Sequence, residues 1–335
     1  MPFYKELKKR WLILPPLVLI LVVLNISMGS IRIPLRDVLT ILSGNNASEA
    51  IWTEIIWNFR VTKALTCILA GSALSLSGLQ MQTFFRNPLA GPDVLGLSSG
   101  ASLMVSLLFF SKVGLSGPWA LALTAAIGCS FVFVIVLLFA SRLHDTASLL
   151  IVGLMIGATA SSLVSVLQFT SKAEELQTFL IWTFGSVTGM NWSEIHVLAW
   201  VLLIGALFAI GSAKSLNAWL LGDNYAQSLG INLDRSRLMI ILSTCILTGG
   251  VTAFCGPIVF VGLAVPHLTK LIIKTSNHKI LIPNTMMAGA GLLLLCDIIS
   301  RLPGTDVIFP LNAITALFGA PVVIWVIMRS KKISP

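Results

Sequence analysis

Ten apolar runs, separated by polar and turn-rich breaks, dominate this chain. They fall near residues 11–28, 62–83, 96–112, 118–140, 147–168, 194–213, 238–255, 259–273, 281–300 and 308–328. A helix of about 20 residues crosses a hydrocarbon core of about 30 Å. Backbone in lipid must satisfy its own hydrogen bonds, so lipid-embedded runs of this kind fold as helices. The expectation is an all-α integral membrane protein: one polytopic domain over 1–335 with ten transmembrane helices. The eighth run is short and requires local thinning or burial in protein. Composition points the same way. Only 10% of the residues are charged against 56% hydrophobic, with a mean hydropathy of +0.94, where soluble chains carry about 25% charged residues.

The net charge of +9 is therefore not a nucleic-acid footprint. In membrane proteins excess Lys and Arg mark cytoplasmic loops. With ten spans both termini share a side. The loops on that side hold 15 of the 22 Lys and Arg residues and the other set holds 7, which predicts cytoplasmic termini. The basic KELKKRW stretch before the first run resembles a signal peptide. It lacks a small-residue cleavage site, and Pro15-Pro16 breaks the run, so an uncleaved first span is expected. Five cysteines, Cys67, Cys129, Cys245, Cys255 and Cys296, are scattered in apolar runs without a CxxC pair. They read as small buried hydrophobes, with no disulfide framework or metal site.

The longest polar break in the second half is Lys214–Arg237, predicted as a cytoplasmic loop. Within it Leu221, Tyr225 and Leu229 are spaced four apart and would share one face of a short helix. Gly222 and Gly230 bracket that helix and permit sharp turns. Asp223 sits near its start, where a negative charge suits the helix dipole. Two readings stand: a plug for a groove on another protein, and a solvated loop. On the opposite side, IPLRDVLTIL within 29–58 predicts a helix along the surface. SKAEELQTFLIW within 168–193 predicts a short helix with Leu176, Phe179 and Leu180 on one face. Cys67-Ile-Leu-Ala-Gly71 with Gly78 is echoed by Cys245-Ile-Leu-Thr-Gly249 with Gly256. This fits an inverted repeat and equally a coincidence in low-diversity sequence.

No Walker A pattern, paired carboxylates, HExxH or GxSxG occurs, so neither nucleotide hydrolysis nor a catalytic constellation is expected in this chain. Asp297 is an acid inside an apolar run, with Arg301 one turn on to neutralise it. Scarcity of buried acids counts against an ion-coupled carrier. Two stretches are rich in Gly and Pro. Phe85 to Gly96 contains Pro88 and Pro92 and cannot be continuous helix. Cys255 to His267 contains Pro257 and Pro266, predicted to bracket a short helix. His267 is read as a structural hydrogen-bond partner in preference to a ligand.

RNPLAGPDVLG, IWTFGSVTGMNW, LLGDNYAQSLGI, GPIVFVGLAVPHLTK and TALFGAPVVIWVI, in that order, resemble the FecCD-type permeases. These are membrane subunits of ABC importers for iron-siderophores, haem and cobalamin. The resemblance covers about 29–328. It implies the ten-helix permease fold of type II ABC importers in the cell inner (plasma) membrane. It further implies a homodimer, two ATP-binding cassette subunits carrying ATP and Mg, and an extracytoplasmic substrate-binding protein. The chain itself would hold no cofactor and do no catalysis.

By the same resemblance, Asn87 and Leu89 form the cytoplasmic gate. Leu221, Gly222, Asp223, Tyr225, Leu229 and Gly230 couple to the ATPase. Arg60, Lys63 and Arg301 dock the binding protein. The family's LRLPR motif reads FRVTK here, so Lys63 replaces an Arg and loses its bidentate fork. Where many relatives read E-[IL]-P-[IV]-G, this chain has Ile308-Phe-Pro-Leu-Asn312, and no family property carries over to that corner. The function expected is import of an iron chelate. Cobalamin or haem import is the alternative within the family, and an ion-coupled secondary transporter is the distant one.

Overall fold

The computed structural model describes residues 13–29, 31–45, 49–110, 118–140, 142–143, 146–301 and 309–330. All regular structure among them is helical: α1 (Leu14–Ser27), α2 (Leu35–Leu42), α3 (Ala50–Ile55), a π-helical turn (Ile56–Val61), α4 (Thr62–Phe84), a 3₁₀ turn (Pro92–Leu95), α5 (Leu97–Phe110), α6 (Pro118–Ala140), α7 (Thr146–Thr170), α8 (Ala173–Thr183), α9 (Trp192–Trp219), α10 (Asp223–Ser228), α11 (Leu233–Cys255), α12 (Val261–Ile273), α13 (His278–Ser300) and α14 (Leu311–Ser330). Each of the ten apolar runs falls on one of these helices. Six segments are long and apolar enough to cross a membrane: Ala50–Phe84, Trp119–Ala140, Ala147–Thr170, Trp192–Trp219, Leu233–Cys255 and His278–Ser300. Leu14–Ser27, Leu97–Phe110, Val261–Ile273 and Leu311–Trp325 are shorter apolar helices. The KELKKRW stretch and Ile308 lie outside the described residues.

Helix α4 is the axis of the bundle. Every residue from Ala70 to Phe84 is buried, with α13, α11, α9 and α12 packed around it. Lipid-like surroundings give no hydrophobic drive between helices, so close backbone approach through small residues has to supply the contact. The small residues of α4 do this. A Cβ on Gly78 would stand 1.7 Å from the carbonyl oxygen of Gly262 on α12, so only glycine fits there. Polar side chains of α4 bond to other helices across the bundle. Ser75 donates to the Thr285 carbonyl at 2.9 Å, Gln82 to the Leu263 carbonyl at 2.9 Å, and Ser243 to Gln80 Oε1 at 2.9 Å.

The structure differs from the sequence reading in two boundaries. Helix α9 runs on to Trp219, six residues into the predicted Lys214–Arg237 loop, and α11 begins at Leu233. The reason is packing: Leu216, Ala218 and Trp219 are buried, and Trp219 stacks edge-on against Phe84 at 5.3 Å. The exposed loop is therefore 220–232. Pro266 lies inside α12 and does not end it. Proline removes the donor that would reach the carbonyl four residues back. That carbonyl belongs to Gly262, the group that lies against Gly78. The surface helices α2 and α8 form as predicted. Val38 and Ile41 of α2 are buried, and Phe179 of α8 is buried while Leu180 is exposed. All five cysteines are free and buried.

Candidate functional sites at the two ends of the bundle

At one end, two loops meet. The first follows α4, where Pro88 prevents the helix from continuing. The Asn87 side chain accepts the Leu89 amide at 2.9 Å, an Asx turn that closes the loop locally. Leu89 is exposed. The Pro88 carbonyl contacts His267 Nε2 at 2.7 Å, so the histidine has the structural role expected of it. The second loop is 220–232. Gly222 and Gly230 both adopt positive φ, +111° and +73°, which a side chain would strain. Helix α10 spans only Asp223–Ser228, so Leu221 and Leu229 flank it instead of lying within it. Ala226 is the anchor, buried in the cluster that holds Trp219 and Phe84. Leu221, Tyr225 and Leu229 are 66%, 47% and 57% exposed. These three large apolar side chains touch little of their own chain.

Arg86 joins the two loops. Its guanidinium pairs with the Asp223 carboxylate, and its Nε donates to the Trp219 carbonyl at 3.2 Å. Below them, Asn217 Oδ1 accepts the His278 amide at 2.8 Å and sits 2.8 Å from its Nδ1. The other ring nitrogen, Nε2, sits 2.9 Å from Thr83 Oγ1. The end of α4 is thereby tied to the starts of α13 and of the loop region. None of these partners is signalled by sequence spacing.

At the opposite end the structure gathers Arg60, Lys63 and Arg301 around one cavity of about 350 Å³, with Gly29, Thr188 and Gly189 in its wall. A neighbouring cavity of about 340 Å³ shares Thr188 and Arg301 and reaches Asp297, Phe309 and Leu311. The three cations are not equivalent. Arg60 lies in the π-helical turn, and its two terminal nitrogens donate to the carbonyls of Ile26, Ser27 and Ile31. It closes the connection after α1. Lys63 is buried and pairs with buried Asp297 at 2.7 Å. Asn25 donates to the same carboxylate at 2.9 Å. Arg301, predicted as the partner of Asp297, is the looser one at 3.6 Å, with its side chain 22% exposed.

Two buried charges forgo several kcal/mol of hydration each, and removing one partner typically costs about 3–5 kcal/mol. Lys63 and Asp297 therefore fix the start of α4 to the end of α13. Beside them Asn312 is a hub. Its side chain donates to the carbonyls of Thr183 at 3.0 Å and Pro257 at 2.7 Å, and accepts the Val259 amide at 3.2 Å. This residue stands where the sequence departs from the family pattern, and it joins α8, the Pro257 stretch and α14. Among the described residues no group of three or more His, Cys, Asp or Glu could hold a metal ion.

A multi-helix apolar bundle with polar loops meeting at each end fits a multi-pass membrane protein. The comparisons agree. The sequence matches the FecCD transport family over residues 17–329, and the chain belongs to that family. It is similar to the vitamin B12 import system permease protein BtuC of Klebsiella pneumoniae, 36% identical over 82% of this chain and 83% of the relative. The hemin transport system permease protein HmuU of Yersinia pestis is 34% identical, covering 94% of each chain. Among solved structures, one described as an inward-facing metal-chelate type ABC transporter superposes with a TM-score of 0.82 at 28% identity, over 96% of this chain and 99% of that one. The chain is thus the permease component of an ABC importer, a transport subunit whose ATP hydrolysis resides on separate chains.

Proposed function

We propose that this permease imports an iron chelate of siderophore type, as a homodimer of ten-span subunits with cytoplasmic termini in the inner (plasma) membrane. The carrying observation is the exposed Leu221–Tyr225–Leu229 ridge on a loop that is anchored by Ala226 and by Asp223, each of the three side chains being about half or more exposed. An apolar ridge of this kind fits a groove on an ATPase subunit. Asn87 and Leu89, on the adjoining loop, close the cytoplasmic mouth near the two-fold axis. ATP binding in the partner subunits shifts the permease between outward- and inward-open states. The breadth of the likeness to a metal-chelate transporter supports the chelate reading. Similarity to the B12 and hemin permeases keeps cobalamin and haem as the second reading.

The test is uptake by proteoliposomes containing the permease, its ATPase and its binding protein, offered ferric siderophores, haem and cobalamin. ATP-dependent accumulation of a ferric siderophore, insensitive to collapse of ion gradients, is the expected result. Uptake that needs a gradient and no ATPase would overturn the importer reading. Preference for cobalamin or haem would overturn only the substrate.

Arg301, partly exposed in the cavity that buried Arg60 and Lys63 help to line, receives acidic side chains of the binding protein. Since Arg60 and Lys63 also hold the fold, Arg301 is the residue to vary. Exposed charge pairs contribute about 0–1 kcal/mol and act mainly on encounter rate. Arg301→Glu slows binding-protein association several-fold (about 1 kcal/mol), and raised salt reproduces part of the loss in the wild type. Association kinetics identical to wild type at low salt would exclude this docking face.

A further inference from the structure

We propose that Arg86 is a positioning residue: it ties the Pro88 loop to the 220–232 loop, so that displacement of one carries the other. The proposal deepens the functional reading above and rests on it. Arg86 reaches both sides of the turn that leaves α9. Its Nε holds the carbonyl of Trp219, the last residue of α9, and its terminal nitrogen holds Asp223, the first residue of α10. Whatever moves α10 moves the guanidinium.

The other end of the strut is equally defined. Two residues on, the Pro88 carbonyl is held by His267 of α12 at 2.7 Å, and Leu89 is held to Asn87. Consecutive Cα atoms stand about 3.8 Å apart. The distance from Arg86 to Leu89 is thus too short for slack to absorb a shift of a few ångströms. The backbone adds a third observation. Arg86 has φ +47°, a region that a residue with a Cβ occupies uncommonly and at a cost. The conformation aims the side chain at the second loop, and the ion pair and the Trp219 carbonyl keep it there.

Stability is not what the pair supplies. Both side chains are about half exposed, 48% and 50%, and exposed pairs contribute little to folding. A weak pair joining two elements nevertheless biases which arrangement they adopt together. A bias of its size corresponds to about fivefold in an equilibrium.

The experiment uses the complete complex of permease, ATPase and binding protein in nanodiscs, with Leu89→Cys as a maleimide probe. The five native cysteines are buried, so labelling reports on position 89. The readout is the ratio of labelling rates with and without ATP and vanadate. Arg86→Gly is the informative variant, because glycine keeps the positive φ at no cost and deletes only the strut. Arg86→Gly is expected to shrink the nucleotide-driven ratio about fivefold. ATPase co-purification and melting temperature should stay at wild-type values. The exchange Arg86→Asp with Asp223→Arg, in which aspartate tolerates the left-handed region, restores at least half of the ratio.

An unchanged ratio in Arg86→Gly overturns the proposal, as does an exchange that restores nothing. A wild-type complex that retains its ATPase but shows no nucleotide-driven change at position 89 also overturns it. A wild-type permease that fails to retain the ATPase overturns the underlying functional reading as well.

Discussion

Gly78→Ala eliminates the folded permease. The added Cβ would lie 1.7 Å from the Gly262 oxygen, 2.5 Å from its carbonyl carbon and 2.7 Å from its Cα. All three are backbone atoms, so no side chain can swing aside. Helices α4 and α12 must part instead, and α4 has nowhere to go. Two turns earlier Gly71 is in equally close contact with α13, where a Cβ would meet the Gly289 oxygen at 2.3 Å. Overpacking in a close-packed interior costs about 1–3 kcal/mol, and more when backbone must shift. Parting α4 from α12 also stretches the Gln82 bond to Leu263 and draws His267 away from Pro88. We expect Gly78→Ala to lose its monodisperse peak in size-exclusion chromatography of detergent extracts. Gly291→Ala is the control. Its Cβ would meet Val18 and Leu21 at 3.5 and 3.7 Å, ordinary contact distances, and its profile should match wild type. A wild-type profile for Gly78→Ala would mean that the two helices are not in the contact described.

The contrast between Gly78 and Arg60 shows what the sequence could and could not disclose. Apolar runs long enough to cross a bilayer mark helices by composition alone, and each run falls on one. Gly222 and Gly230 mark turns because positive φ is cheap only for glycine, and both turns are there. Pro88 and His267 lie in motifs whose irregular backbone needs partners, and they found each other. Pairings between distant segments carry no such signal. Lys63 meets Asp297 because α4 packs on α13, whereas spacing along one helix could nominate only Arg301. Arg60 was legible as a charge near an outer face, but its use of three backbone carbonyls follows from the fold of the α1–α2 connection. The extension of α9 to Trp219 was hidden because its last six residues are partly polar, and only the buried Trp219 against Phe84 accounts for it. Asn312 read as a departure from a family pattern, and its bonds to three segments appear only once those segments are placed side by side.

The triple variant Leu221→Ala, Tyr225→Ala, Leu229→Ala detaches the ATPase while leaving the permease intact. All three side chains are exposed, and surface substitutions usually change stability by no more than about 0.5 kcal/mol. Ala226 and Trp219, which hold the loop to the bundle, are untouched, as are the turns at Gly222 and Gly230. Membrane abundance, melting temperature and binding-protein docking should therefore match wild type. Binding to a groove is another matter. An apolar or aromatic side chain that becomes fully desolvated in an interface is worth about 2–3 kcal/mol on truncation, a factor of about 30 or more in affinity for each. Even allowing for non-additivity among neighbours, the triple change should abolish retention of the ATPase through a purification step. Each single variant should weaken it in proportion to the side chain's burial in the partner, with Tyr225 losing a ring that can both pack and donate a hydrogen bond. Affinity purification through the permease, followed by quantification of the ATPase and of ATP-driven uptake, gives the answer. If the ridge were only a solvated loop, the triple variant would retain its ATPase and transport at the wild-type rate, and coupling would have to run through another surface.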